Sequence, residues 1–517
     1  MSAEIDVFRS AEARLIEREE KARPKFAKRG QILPRERIGL LLDPGSPFLE
    51  LMALAGYQRH DDKDGSEAGG GTIAGIGYVS GVRCMVMASN SAVKGGAISP
   101  AGLHKNLRCQ QIALENRLPL IFLVESAGAN LTYQAELFVE GGRGFANQAR
   151  LSAAGIPQIT VVHGSSTAGG AYIPGLSDYV VMVKQQAKVF LAGPPLLRAA
   201  TGEIANDEEL GGAEMHAAVA GTAEYLAEDD ADGLRLAREI VAQLGRRDPR
   251  PAGGARTFAP PDHPVEELIE VVPTDFKQSY DVREVIARLA DASAFTPFKA
   301  DFDAFTICGT AAITGFHVGF IGNNGPITAA GAAKAAQFIQ LCCQSNTPLV
   351  FLQNTTGYMV GKDAERGGII KHGSKMIQAV ANADVPKITI VIGGSFGAGN
   401  YGMCGRGLDP RFIFSWPNAR IGVMGADQAA GVMSMITRAK TARAGKPMPE
   451  EHLAMMEQQI RAKMTAESHS LFGSARLWDD GIIDPRDTRR LLSFLLDICD
   501  QAAACQPRPN SFGVARF

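Results

Sequence analysis

The residues with the clearest chemical promise are small ones. Gly393-Gly394-Ser395-Phe396-Gly397 fits G-x-S-x-G, the elbow that presents a nucleophilic serine in hydrolases. Such a serine needs a base, and the usual order places Asp and then His after it. Beyond Ser395 the only histidines are His452 and His469, both in polar sequence. A related stretch, "HGSSTAGGAY" (163–172), follows another apolar segment, but Gly164-Ser165-Ser166-Thr167-Ala168 does not fit the elbow. The two stretches share a pair of small residues instead, Gly169-Gly170 in one and Ala398-Gly399 in the other. Small residues let the backbone approach a ligand, and free N–H groups at a helix start favour an anion. An oxyanion held this way loses about 3–4 kcal/mol of transition-state stabilisation per missing donor. The same glycines would also allow tight helix–sheet packing, and Ser395 as nucleophile is the minor alternative. Two oxyanion sites suit a reaction in which two carbonyl-type groups become anionic in turn. Moving a carboxyl group from a carrier to an enolisable thioester is one.

Both turns need a strand before them and a helix after them. "LPLIFLVESAGAN" and "TPLVFLQNTTGYM" read as buried strands following helices, as do "GIPQITVV" and "DVPKITIV". Lys105 and Lys334, Pro119 and Pro348, and Pro157 and Pro386 each lie 229 residues apart. A constant offset over about 70 residues marks an internal duplication. Strands apolar on both faces (118–124, 159–162, 349–352, 388–392) belong to parallel sheets, so the fold class is α/β with two homologous domains. The stretch 245–264 carries five prolines and three glycines and reads as a linker between domains 1–244 and 265–517. Residues 429–503 read as mainly helical, with Asp484-Pro485-Arg486-Asp487 as a helix start.

Composition narrows the classes. A net charge of -2 gives no general basic surface for nucleic acid or anionic membrane, and no uncharged run is long enough to cross a bilayer. Eight cysteines without a C-x-x-C pair suggest a reduced cytoplasmic protein with no zinc site. The charged N-terminus has no signal-peptide or transit-peptide character. The expectation is a cytoplasmic enzyme without a metal.

The motifs "LPRERIGLLLDPGSPFLEL", "GGGTIAGIGYVSG", "FLAGPPLLRAATGE", "ELGGAEMH" and "ARLWDDGIIDPRDTRRLL" extend over nearly the whole chain. With the two glycine turns they resemble the carboxyltransferase (β) subunits of biotin-dependent acyl-CoA carboxylases. That resemblance implies two crotonase-like domains, with an active site where the N-domain of one subunit meets the C-domain of another. It also implies a β6 core within an α6β6 assembly, whose α subunits carry biotin carboxylase and the biotinylated carrier. Carried over, Gly169-Gly170 hold the thioester oxygen and Ala398-Gly399 the biotin ureido oxygen. Gly128, Ala129 and Ala171 then fall on the acyl-CoA side, and Phe396 and Gly397 on the biotin side. No side-chain base is implied: the carrier releases CO2, takes the substrate proton, and the enolate captures CO2.

The acyl group is read from finer features. "ESAGANL" (125–131) resembles the "SGGANL" element of the methylcrotonyl- and geranyl-CoA branch, with Ala127 in place of its usual glycine. Gly141-Gly142 stand where the methylcrotonyl enzymes carry a bulky aromatic beside the acyl pocket, so a longer chain would fit. The plainer reading is that these glycines shape a variable loop. "QNTTGYMVG", "SWPNARIGVMG" and "PNSFGVARF" also resemble the geranyl-CoA branch. Geranyl-CoA is therefore favoured over 3-methylcrotonyl-CoA. Lys94, Lys105 and Arg143 are candidates for CoA phosphates, or else solvated charges.

Overall fold

The computed structural model describes residues 1–246, 256–446, 448–505 and 512–515. Residues 247–255 of the expected linker and parts of the "PNSFGVARF" ending lie outside the described residues. Two compact units emerge, and neither is a plain half of the chain. The N-unit comprises Arg9–Gly253, Ala475–Leu477 and Asp500–Phe517. The C-unit comprises Met1–Phe8, Gly254–Ser474 and Trp478–Cys499. Side chains explain the two exchanged ends. Glu4 accepts from Arg420 at 2.7 Å, whereas Gln501 accepts from Arg83 at 2.7 Å and Ala502 from Arg117 at 2.8 Å.

The N-unit sheet has eight strands: β1 (Leu49–Leu51), β2 (Thr72–Val79), β3 (Val82–Ser89), β4 (Leu120–Ser126), β5 (Gln158–Thr167), β6 (Tyr179–Val183), β7 (Lys188–Phe190) and β8 (Tyr225–Ala227). They run in the order β1-β2-β3-β4-β5-β6-β8, with β7 pairing the far end of β5. β1 to β3 pair antiparallel, and β3 through β6 to β8 pair parallel. The C-unit sheet comprises β9 (Thr296–Pro297), β10 (Thr306–Ile313), β11 (Phe316–Asn323), β12 (Leu349–Thr355), β13 (Lys387–Phe396), β14 (Phe412–Ser415) and β15 (Arg420–Gly422). Its order is β14-β13-β12-β11-β10-β9, with β15 on β13. Every residue of β4, β12 and β13 is buried, as the apolar runs require.

The 229-residue offset extends into the register. Leu120 faces Gln158 as Leu349 faces Lys387. Pairing then slips, after Val124 in one sheet and Gln353 in the other, and resumes as Ser126 with Ser166 and Thr355 with Ser395. β5 and β13 are longer than their apolar cores suggest. Beyond the slip their polar and glycine residues pair with β7 and β15, a partnership no local pattern announces.

The helices Pro100–Asn116 and Ala329–Gln344 connect the duplicated strands, capped by Ser99 and Thr328, which accept from Gly102 N at 3.1 Å and Gly331 N at 2.9 Å. Lys105 and Lys334 inside them are buried and donate to backbone carbonyls, Lys105 to Thr72 at 2.7 Å and Lys334 to Phe302 at 3.0 Å. Burial pulls Lys105 down to about 8. Lys105 is thus a structural post rather than a candidate for CoA phosphates.

Close approach makes some glycines indispensable and leaves others free. A Cβ on Gly102 would stand 2.0 Å from the Gly70 carbonyl oxygen, whereas one on Gly144, inside the helix Gln134–Ala153, would meet nothing within 4 Å. Gly102→Ala is expected to destabilise the fold by about 2–3 kcal/mol, and Gly144→Ala to stabilise it by up to about 1 kcal/mol. Calorimetric Tm values moving in the same direction for both variants would refute this packing.

Candidate active site

Each glycine turn is assembled from three chain segments, and the two assemblies match atom for atom. In the N-unit, Gly128 N donates to Ser126 Oγ at 3.1 Å, and that hydroxyl donates to the Gly96 carbonyl at 3.2 Å. In the C-unit, Gly357 N donates to Thr355 Oγ1 at 3.2 Å, and that hydroxyl reaches the Gly325 carbonyl at 3.3 Å. Ile98 pairs with Ala129, and Ile327 with Tyr358, closing the same loop in both. The turn residues Ala168 and Gly397 have φ of 52° and 56°. The left-handed bend is kept although one copy carries a side chain there.

Exposure along the turns also repeats. Gly169 and Ala398 face solvent, Gly170 and Gly399 are buried, and Tyr172 and Tyr401 are exposed. A Cβ on Gly170 would lie 3.4 Å from Ser126 Oγ, and one on Gly399 would lie 2.8 Å from Gly357 Cα. Ser166 Oγ donates to the Gly170 carbonyl at 2.8 Å, orienting that peptide. The helices after the turns are short, Ala168–Ala171 leading to Tyr172–Gly175 in one and Gly397–Gly402 in the other. One turn of helix sums few peptide dipoles, so local N–H groups matter here more than a macrodipole.

Ser395 is fully buried. Its hydroxyl donates to Gln353 Oε1 at 2.7 Å and accepts from Asn400 Nδ2 at 2.8 Å. Two amides occupy its hydrogen-bonding capacity, and neither can act as a base. His469 instead bonds Glu4 at 3.1 Å, and His452 lies exposed on the helix Glu450–Ser468. The hydrolase alternative has no geometry behind it.

The other sequence candidates divide. Gly128 is buried with φ 81°, Ala129 is exposed, and Ala171 is buried, so it presents backbone only. Gly141 and Gly142 lie within the 20-residue helix Gln134–Ala153, not in a loop. Phe138, Gly141, Gly142 and Phe145 occupy one face of that helix by their spacing. Phe145 brings the face to the turn: its ring is 5.5 Å from that of Tyr172, and its Cζ would touch a Cβ on Gly169 at 3.9 Å. In the C-unit, Phe396 is buried with its ring 5.1 Å from Phe276. Both line a cavity of about 470 Å³ that also touches Thr356, Lys277, Asp427 and Arg461. Lys94 is engaged by Glu67 at 2.9 Å and Asp61 at 3.3 Å, while Arg143 is exposed.

Sequence reasoning missed the Ser126 and Thr355 hydroxyls. The offset that paired the turns also pairs these two residues and would have exposed them. Also missed was a buried charge cluster behind the N-unit turn. His163 Nδ1 meets Asp230 at 2.8 Å, Arg37 meets Asp230 at 3.0 Å, and Arg37 meets Glu125 at 3.2 Å. Burial pulls His163 down, so it stays neutral. Burial works against Asp230, but hydrogen bonding from His163 and the charge of Arg37 hold its carboxyl below the usual range.

A twice-written α/β fold of crotonase-like architecture, with a matched glycine turn in each copy, is the framework of a carboxyltransferase. Residues 25–511 match the model of the carboxyl transferase domain family. The chain is 63% identical to the crystal structure of the geranyl-CoA carboxylase beta subunit of P. aeruginosa, covering 100% of this chain and 96% of that one with a TM-score of 0.94. It is 50% identical over 503 residues to a probable biotin-dependent acyl-coenzyme A carboxylase beta2 subunit of Mycobacterium tuberculosis, covering 96% and 93% of the two chains. Over 501 residues it is 48% identical to the biotin-dependent 3-methylcrotonyl-coenzyme A carboxylase beta1 subunit of the same organism, again covering 96% and 93%. The chain belongs to the carboxyl transferase family and is a biotin-dependent acyl-CoA carboxyltransferase.

Replacing Ser395 with alanine would orphan Gln353 Oε1 and Asn400 Nδ2. A loss of about 1–3 kcal/mol of stability is expected, with carboxylation reduced only a few-fold. Unchanged stability with activity abolished would restore Ser395 as a nucleophile.

Proposed function

We propose that this chain is the carboxyltransferase subunit of a geranyl-CoA carboxylase. The observation that carries the substrate is the open face of the helix Gln134–Ala153. A Cβ on Gly141 or Gly142 meets no atom within 4 Å, and the same face reaches the Gly169 turn through Phe145. An extended branched chain fits the bare patch between Phe138 and Phe145 better than a short one does. The 63% identity to the geranyl-CoA enzyme over the full chain supports the same reading. The alternative is 3-methylcrotonyl-CoA, favoured by relatives of that description at 48% identity.

In this reading the Gly169-Gly170 backbone takes the thioester oxygen as it becomes an oxyanion. Gly128 and Ala129 stand beside it on the same hydroxyl-tied loop. Loss of the substrate's γ-proton gives a vinylogous dienolate whose charge still resides largely on that oxygen, so one site serves both acyl groups. The new carbon–carbon bond forms at the β-methyl carbon. Biotin, carried by the partner subunit, would supply the carboxyl group as CO2 by cleavage of its N–carboxyl bond, and the ureido nitrogen so freed would take the substrate's γ-proton. Ala398-Gly399 would hold its ureido oxygen, with Phe396 and Gly397 beside it. The cavity next to Phe396 suits such a group, with aromatic walls from Phe276 and Phe396 and polar neighbours in Thr356 and Gln428. Self-association as a β6 core within α6β6 and domains divided near 245–264 complete the reading. Eight cysteines outside any disulfide support a reducing, cytoplasmic setting.

Gly141→Phe should fold normally, because the new ring meets open space. Geranyl-CoA turnover by the reconstituted α/β complex is expected to fall at least about tenfold, with 3-methylcrotonyl-CoA turnover changing less than about threefold. Equal losses on the two substrates would refute the pocket.

A further inference from the structure

The helix Gln134–Ala153 carries the bare patch beside the Gly169 turn, yet little apolar burial holds it in place. Of its 20 residues Leu137, Gln148, Leu151 and Ser152 are the buried ones, and two of these are polar. Its start is tied by exposed contacts, Tyr133 to Asp61 at 2.7 Å and His104 to Glu140 at 2.6 Å, which water weakens. Much of the remaining grip comes from three glutamines that are almost wholly buried: Gln110 at 5% exposure, Gln148 at 2% and Gln158 at 0%.

Their bonds converge on one side of the helix. Gln110, on the helix Pro100–Asn116, donates to the Gly144 carbonyl at 3.2 Å and accepts from Asn147 at 3.1 Å. Gln158, which opens β5, donates to the Gln148 carbonyl at 2.7 Å. Residues 144 and 148 stand on successive turns of one helix face. The Gln148 side chain then donates to the Ile173 carbonyl at 3.3 Å, one residue beyond Tyr172 of the acyl turn. None of these acceptors depends on the bond. Ile173 already accepts from Ser177 Oγ at 2.9 Å, and an interior helix carbonyl accepts an N–H of its own helix. An apolar side chain would fill the same space without requiring a partner. What the amides add is direction: they fix the helix along its axis and about it, relative to the turn.

We propose that Gln148, supported by Gln110 and Gln158, is a specificity-determining positioning residue for the carboxylation. It sets the register between the bare patch and the Gly169 turn, and with it the acyl chain that the subunit prefers. The inference rests on the geranyl-CoA reading and names the contacts that keep its groove aligned. Gly141 precedes Phe145 by four residues, so the patch lies about 6 Å along the helix from the ring that meets the turn. A long acyl chain whose thioester sits at Gly169 must pass that ring and lie on the patch, whereas a short one ends near the turn. Only the long chain senses the register.

Gln148→Met keeps the length of the side chain and removes its donor, and Gln110→Met does the same from the neighbouring helix. In the reconstituted α/β complex each is expected to raise KM for geranyl-CoA roughly fivefold, with kcat held within about twofold and KM for 3-methylcrotonyl-CoA moved less than about twofold. Tm is expected to fall by no more than about 4 °C, since no carbonyl is left unpaired. A merely structural role would lower turnover of both thioesters together. That result, or an unchanged geranyl-CoA KM in Gln148→Met, would overturn the inference. If Gln148→Met does not assemble, Gln110→Met is read by the same criteria. An unmodified complex that carboxylates 3-methylcrotonyl-CoA but not geranyl-CoA would strike the substrate reading, and this inference with it. A preference for geranyl-CoA that both variants leave intact would overturn this inference alone.

Discussion

One hydroxyl at the end of the second parallel strand governs each half of this protein. Ser126 and Thr355 each accept a backbone N–H from the glycine two residues on and donate to a glycine carbonyl thirty residues back. Each bond contributes only about 1 kcal/mol, but together they tie a strand end, a following loop and an earlier turn. The strand register slips at that point, which frees the ends of β5 and β13 to pair with β7 and β15. The glycine turn then packs against the hydroxyl-bearing residue: a Cβ on Gly399 would crowd Gly357 Cα at 2.8 Å and Thr355 Cγ2 at 3.1 Å, and one on Gly170 would sit in contact with Ser126 Oγ at 3.4 Å. What the turn can offer a ligand is therefore backbone.

The two copies reach this geometry with different supports. Behind the N-unit turn sit paired charges, Arg37 between Asp230 and Glu125, with a neutral His163 completing the set. Behind the C-unit turn sit amides: Gln353 and Asn400 on Ser395, and Asn354 Oδ1 accepting from Gly394 N at 3.1 Å. A buried ion cluster and a neutral amide network cost and contribute differently, yet the turns they brace superpose in register and exposure. Backbone shape is the duplicated property. The side chains behind it were free to diverge once each set satisfied its own buried polar groups.

Much of this was legible in the sequence because it is periodic or local. The offset of 229 located both turns, both buried strands and both connecting helices, and Asp484 caps the start of a helical region as its neighbours suggested, accepting from Arg486 N at 3.1 Å. What escaped depends on distant partners. Lys105 looks like a surface cation by type, but its helix buries it against the Thr72 carbonyl. The far end of β5 looks like loop because its ladder partner, Lys188–Phe190, lies across an intervening turn and strand. Lys25 and Lys188 share a cavity although 163 positions separate them, and no pattern in either segment points to the other. The exchanged termini belong to the same class, since single side chains such as Glu4 and Gln501 decide them.

The helix Gln134–Ala153 shows where specificity and stability part company. Three glycines at 141, 142 and 144 interrupt its middle, each less favourable than alanine by roughly 1 kcal/mol. Close packing usually justifies such residues, as it does for Gly102 against Gly70. Here it does not, because a Cβ at any of the three would enter open space. Nor do these positions need a left-handed backbone, since none of the three has a positive φ. A cost without a packing or conformational return inside the unit must be offset by something outside it. Phe138, 85% exposed, and Phe145 bracket the bare patch on the same face, and Phe145 reaches Tyr172 and Gly169 of the turn. An apolar stripe with its centre removed is a groove, and a long acyl chain is the simplest thing to lie in it.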